Sequence, residues 1–150
     1  MDNQTINRLP LASLAGSRYN GLIDLYFWDE TFKPWESEKD LQDAYRAFQK
    51  SMWKVRLTRW IKNKLDCEDW SRLFVSHVLI RNALSDNKYP MALGLLTYNI
   101  EADPAQHHAI CVAVVKHGKS YKLVELEPQP NQGIKELAKE ELSTVCRVSF

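Results

Sequence analysis

The run Ala109-Ile110-Cys111-Val112-Ala113-Val114-Val115 limits the fold more than any other stretch of the chain. It is apolar at every position and opens directly after His108. Such a run reads as a strand over residues 108–116, apolar on both faces. His117-Gly118 interrupts it, and residues 121–127 supply a partner strand that Pro128 and Pro130 stop. With His117-Gly118 as a two-residue turn, Lys116 opposes Lys119, Val114 opposes Tyr121 and Val112 opposes Leu123. Ile110 then opposes Glu125, and His108 opposes Glu127.

Helical spacing governs the part of the chain that precedes this hairpin. Ser37 followed by Asp40 is a helix-start signature, the hydroxyl capping and the acid favouring the helix dipole. Leu41, Ala44, Tyr45, Phe48, Met52 and Val55 recur at helical spacing, which predicts an amphipathic helix to about residue 52 or beyond. The basic stretch from Lys50 to Lys64 reads as a solvated face whose stems pack over Trp53 and Trp60. Asp66 is a good N-cap with Glu68 and Asp69 in the first turn, so a second helix runs from residue 67 to about 84. Cys67, Trp70, Phe74, Val78 and Arg81 share one stripe of it. Residues 91–98 form a strand candidate, Asp103-Pro104 a turn, 134–142 a short helix and 144–150 a last strand. Residues 1–20, with Pro10 and Gly16, read as an irregular arm, and residues 22–28 as a short strand or one helical turn. Helices first and an antiparallel sheet second define an α+β domain.

At 150 residues the chain makes a single domain, 1–150, able to form a core without disulfides or structural metal. Its 45% apolar and 26% charged residues are those of a globular protein, and a net charge of +1 gives no reason to expect nucleic acid or an anionic membrane as partner. No apolar run approaches the length of a membrane span, and the N-terminus shows no signal-peptide pattern. The three cysteines are odd in number and widely spaced, which favours a reducing, cytoplasmic setting. Cys111 and Cys146 read as buried small hydrophobes. Trp28, Trp35, Trp53 and Trp60 fit either a core or the wall of a groove.

The chemistry concentrates elsewhere. Cys67 sits at a helix mouth, where unpaired backbone N–H groups favour the thiolate, the form that attacks. Asp66, Glu68 and Asp69 oppose that effect, so either Cys67 is structural or something positive neutralises the acids. Calcium is the natural cation for such a set, while any helix start also favours acids on its own account. His108 opposite Glu127 gives a base and a carboxylate to orient it, with Glu125 as the fallback. His107 takes no role, and His77 and His117 read as bland. The Cys67 backbone N–H, Asn63 and Lys62 are candidate oxyanion donors.

Asp66-Cys67-Glu68-Asp69-Trp70-Ser71 resembles the D-C-[DE]-D-[FYW]-[AS] signature of bacterial transglutaminase-like cysteine proteinases. His108-Ala109 is similar to their second motif, and an acid ending the next strand to their third. Leu126-Glu127-Pro128-Gln129 also resembles the E-P-Q ending in the papain-like C-terminal protease domain of a mushroom chimerolectin. The resemblance covers roughly residues 65–129. It implies a papain-like or transglutaminase-like fold, with the nucleophile at a helix N-terminus packed on an antiparallel sheet. It further implies Cys67 as nucleophile, His108 as base, Glu127 as orienter, and Asp66 and Glu68 as calcium ligands.

The expectation is therefore a cysteine hydrolase, a peptidase or amidase acting on a peptide or protein substrate. Two alternatives stand beside it. One is an acyltransferase of transglutaminase type on the same fold, in which an amine replaces water. The other is a catalytically inactive binding or phage-derived structural module, in which Cys67 reacts no faster than Cys111 or Cys146.

Overall fold

The computed structural model describes residues 5–19, 24–26, 29–62, 64–100 and 106–150. Four helices and eight strands follow one another in the order β1 (Ile6–Asn7), α1 (Arg8–Arg18), β2 (Asp24–Tyr26), β3 (Thr31–Phe32), α2 (Glu38–Lys54), α3 (Cys67–Ala83), β4 (Leu93–Asn99), β5 (His107–His117), β6 (Ser120–Glu127), β7 (Gly133–Lys135), α4 (Lys139–Ser143) and β8 (Val145–Ser149). The main sheet has the order β2-β8-β4-β5-β6-β7. Its contacts are antiparallel except where β2 joins β8 in parallel. β1 and β3 form a separate small antiparallel pair.

β5 lies inside this sheet, and its alternating side chains feed two cores. Ile110, Val112 and Val114 pack with Leu11, Ala15 and Tyr98 on one side. Cys111, Ala113 and Val115 pack with Phe48, Trp70 and Phe74 on the other. The strand is covered by α1 on one face and by α2 and α3 on the second, which is why neither face carries polar residues. Phe48 meets Trp70 and Phe74 with ring centroids 5.9 and 5.3 Å apart, locking α2 to α3.

Local signals explain the helices. Ser37 Oγ accepts the Asp40 N–H at 3.2 Å and starts α2, while Leu41, Tyr45 and Phe48 carry its buried stripe. Asp69 accepts the Asp66 N–H at 3.2 Å at the start of α3. The 1–20 arm is corrected: Arg8–Arg18 is helical. Pro10 falls in its first turn, where an amide N–H has no intrahelical partner to lose, and Leu11 and Ala15 bury its inner side. The helix expected over 134–142 is corrected too. Gly133–Lys135 instead pairs with Glu125–Glu127 as an edge strand, and only Lys139–Ser143 is helical. Leu22, Trp28 and the Asp103-Pro104 turn lie outside the described residues.

The hairpin register also differs from the expected one. His117 pairs with Ser120, so the turn residues are Gly118 and Lys119, and Gly118 takes the positive φ of 61° that this turn needs. Every pair is displaced by two positions, with Val112 opposite Glu125 and Val114 opposite Leu123. A two-residue displacement keeps each side chain on its face.

Gly94 on β4 marks a close approach of two backbones in the sheet. A Cβ there would lie 1.9 Å from the Ser149 carbonyl oxygen on the backbone of β8. Gly94→Ala is therefore expected to lower unfolding free energy by at least about 2 kcal/mol, measured by urea titration of tryptophan fluorescence. An unchanged midpoint would contradict this packing.

Candidate functional site

The first residue of α3 brings the Cys67 thiol against the opening residues of β5. Ser71, one turn further along, fixes the seam by donating to the Cys67 carbonyl at 2.8 Å and to the Ala109 carbonyl at 3.1 Å. The thiol is half-buried, hydrogen-bonded to the His108 ring and to the Ala109 backbone. His108 Nε2 lies 2.5 Å from Glu127 Oε2, which leaves Nδ1 as the ring nitrogen for the sulfur. Glu127 is 6% exposed. Its second oxygen accepts the Gln129 N–H at 3.3 Å. The sulfur thus lies beside an imidazole that is itself hydrogen-bonded to a buried carboxylate.

Glu127 reaches His108 diagonally, one pair away from the directly opposed position, because of the displaced register. Three residues without a signal in the sequence support the line. Tyr98, buried, sets its ring perpendicular to the His108 ring with centroids 5.4 Å apart. From α2, Gln49 donates to the Pro128 carbonyl and Tyr45 to the Gln129 carbonyl, each at 2.8 Å. Together they hold the segment that carries the Glu127 carboxylate. Their spacing on α2 reads as ordinary amphipathicity, so nothing in the chain announces them.

The charges are set by these contacts. The hydrogen bond to His108 lowers the Cys67 thiol below its ordinary value, against burial, with help from the Ala109 backbone and the imidazole charge. Asp66 opposes this only weakly, as the smallest of the influences. Burial alone would depress His108, but hydrogen bonds and charge from Cys67 and Glu127 prevail and push the ring up to about 9. These contacts favour the thiolate on Cys67 and the imidazolium on His108. Cys111 is the opposite case, fully buried and pushed well up by desolvation. Cys146, expected to be buried, is half-buried, with its sulfur 3.4 Å from the Thr97 carbonyl oxygen.

The remaining candidates divide. Asp66 and Glu68 border the same cleft as Cys67, but Glu68 pairs with Arg72 and Asp69 is occupied at the helix start. Calcium takes six to eight oxygens, and among the described residues no group of three or more His, Cys, Asp or Glu side chains could hold a metal ion. The positive charge that the acids called for comes from His108 and Arg72 instead. Glu125 is not the orienter, being buried and held by Arg18 at 2.8 and 3.0 Å and by the Tyr19 hydroxyl at 2.6 Å. His107 is exposed at the cleft edge, and His117 lies exposed at the hairpin end. His77 is partly buried, its titration pulled down by desolvation.

The cleft before Cys67 has a volume of about 620 Å³ and includes Trp60, Lys62, Thr97, His107, Cys146 and Arg147. Trp60 is thus a groove wall, whereas Trp35 is core and Trp53 is exposed away from the thiol. Asn63 lies outside the described residues.

Neither a family model nor a curated protein matches the chain. Solved structures do. A complex of the Polyporus squamosus lectin PSL1a with E64 superposes with a TM-score of 0.73 at 14% identity, covering 97% of this chain and 51% of that one. A second structure of that mushroom lectin, bound to the human-type influenza-binding epitope Neu5Acα2-6Galβ1-4GlcNAc, gives the same TM-score and identity over 97% and 49%. This chain spans about half the length of the lectin chains, and at this identity the likeness carries the fold.

Two expectations are corrected here. The cysteine peptidase or amidase expectation is overturned: the structures sharing the fold are those of a lectin, one in complex with E64 and one with a sialylated glycan. The resemblance to a mushroom lectin holds at the level of the fold, whereas no family model supports the transglutaminase-like proteinases. No helix among the described residues is long and apolar enough to cross a membrane.

The ion pair sets a pH signature. Iodoacetamide alkylation of Cys67 should rise with pH at an acid-side midpoint below that of an ordinary thiol, because thiolate is the reacting form. In His108→Ala the midpoint should move up toward about 8.5. Intact-mass kinetics between pH 5 and 10 measure both, and identical midpoints would remove the pair. By contrast, Glu125→Ala should cost about 3 kcal/mol in urea unfolding by stranding Arg18, while leaving the Cys67 midpoint in place.

Proposed function

We propose that the chain is a ligand-binding module on a papain-like frame, in which Cys67 captures an electrophilic ligand. His108 is its proton partner and Glu127 orients the imidazole. One observation carries this reading: a thiol beside an imidazole that is hydrogen-bonded to a buried carboxylate, opening onto a cleft large enough for a small ligand.

The ligands recorded on the lectin structures are the first to try. With an epoxide such as E64, the Cys67 thiolate attacks a ring carbon. The C–S bond forms, the C–O bond breaks, and the His108 imidazolium gives its proton to the alkoxide. Capture of this kind needs a nucleophile and a proton source at contact distance. The same cleft offers Trp60 as an apolar wall and Lys62, Thr97 and Arg147 as polar contacts, a lining suited to a sugar-sized ligand. A glycan therefore replaces a peptide or protein as the first ligand class.

Intact-mass analysis after incubation with E64 is the primary test. One adduct per chain, mapped to Cys67 and absent from Cys67→Ala, is the expected result. A folded chain that forms no adduct would overturn the nucleophilic role. The binding reading also requires a mixture of peptide amides to be recovered intact, so cleavage that Cys67→Ala abolishes would overturn it. Calorimetric titration with Neu5Acα2-6Galβ1-4GlcNAc addresses the glycan: saturable heat supports it, and its absence removes that ligand class.

A further inference from the structure

We propose that Arg147 forms an anion subsite in the Cys67 cleft, selecting ligands whose carboxylate lies about two strand spacings, roughly 10 Å, from the sulfur. The proposal rests on the capture reading above and names the ligand class of the same site.

The argument begins with a break in the sheet. Thr97 pairs with Arg147 but Tyr98 pairs with Val145, so Cys146 is the extra residue of a β-bulge on β8. Successive strand residues ordinarily point to opposite faces. Here Cys146 and Arg147 both line the cleft, which the bulge makes possible by turning the strand locally. An irregularity that places two neighbouring side chains in one cavity is a device for aiming them.

The register then sets the direction. Arg147, Thr97 and Ala109 form one row across β8, β4 and β5. The far end of that row, Ala109, is the residue whose backbone bonds the Cys67 thiol. A ligand attached at the sulfur and lying along the row crosses the Thr97 hydroxyl and ends at Arg147.

The guanidinium is prepared for an anion. Its centre lies 5.4 Å from the Tyr26 ring centroid, a contact that engages the face of the guanidinium and not its in-plane N–H groups. Among the described residues no carboxylate forms an ion pair with it. Among the described lining residues the acids stand on the α3 side, Asp66 at its start and Glu68 committed to Arg72, so they repel an anion toward Arg147. Lys62 adds a second positive charge to the lining. A planar, bidentate carboxylate matches the free fork better than any neutral group does.

Two chloroacetamide probes sharing a spacer of roughly 10 Å test this. One ends in a carboxylate and the other in a primary carboxamide. Each thiolate attack displaces chloride and forms a C–S bond, so only the remote charge differs. Second-order rates of Cys67 alkylation are measured by intact mass in the natural chain, in Arg147→Gln and in Arg147→Lys. The natural chain is expected to favour the carboxylate by about fivefold at low salt, with the preference fading as salt rises. Arg147→Gln brings the ratio to about one, and Arg147→Lys retains part of it. Equal rates in the natural chain, or a preference that survives Arg147→Gln, would overturn the subsite while leaving capture intact. Failure of both probes to label Cys67 faster than Cys146 would overturn capture itself, and the subsite with it.

Discussion

Everything in this molecule is organised by a strand that must hide both faces. β5 supplies Ile110, Val112 and Val114 to one core and Cys111, Ala113 and Val115 to the other, which forces helical layers onto each side of the sheet. Once α3 covers one face, the N-terminus of that helix and the first residues of β5 share an edge. The seam there is polar. Ser71, fully buried, spends its hydroxyl on the carbonyls of Cys67 and Ala109, so helix and strand are bonded to each other where the thiol emerges. Burial of the strand therefore decides where the sulfur and the imidazole can meet.

The charge at that edge is made by neighbours and not by position alone. A thiol at a helix start gains from the dipole, and three acids in the first turn of the chain's most acidic motif act against it. The structure removes two of those acids from the contest, Glu68 by Arg72 and Asp69 by the Asp66 N–H. The imidazole then dominates the sulfur. Its own charge is secured by Glu127, whose segment α2 clamps through Gln49 and Tyr45. The line is thus drawn from three elements, α3, β5 and β6, and braced by α2, and no one of them could form it alone.

Much of this was legible in the residues because it depends on periodicity. The apolar run at 109–115 and the stripe from Cys67 to Val78 carry strand and helix signals strong enough to survive tertiary context. Turn chemistry was less legible. His117-Gly118 suggested a turn one residue too early, and the error displaced every pair by two, yet His108 and Glu127 kept a common face because the side-chain period of a strand is two. The N-terminal helix is poorly marked because Pro10 and Gly16 interrupt its apolar residues Leu9, Leu11, Ala12, Leu14 and Ala15, and its anchor is distant: Arg18 and Tyr19 converge on Glu125, 106 residues or more away. Contacts of that separation leave no local trace. The bulge at Cys146 left none either, since it depends on how β8 meets β4 and not on any turn residue.

The same geometry that makes a nucleophile does not by itself make turnover. Attack at a carbonyl builds negative charge on oxygen, and hydrolysis needs donors aimed at that oxygen as well as a path for water to the acyl carbon. Capture of an electrophile needs less: a thiolate, a proton for the leaving oxygen and a cavity to hold the ligand while the bond forms. Cys67, His108 and the cleft supply those three. The proposed capture asks for no more than these. It also explains why selectivity falls to groups remote from the sulfur. When chemistry at the reacting atom is common to every electrophile, only the wall residues, Trp60, Thr97 and Arg147, can tell one ligand from another.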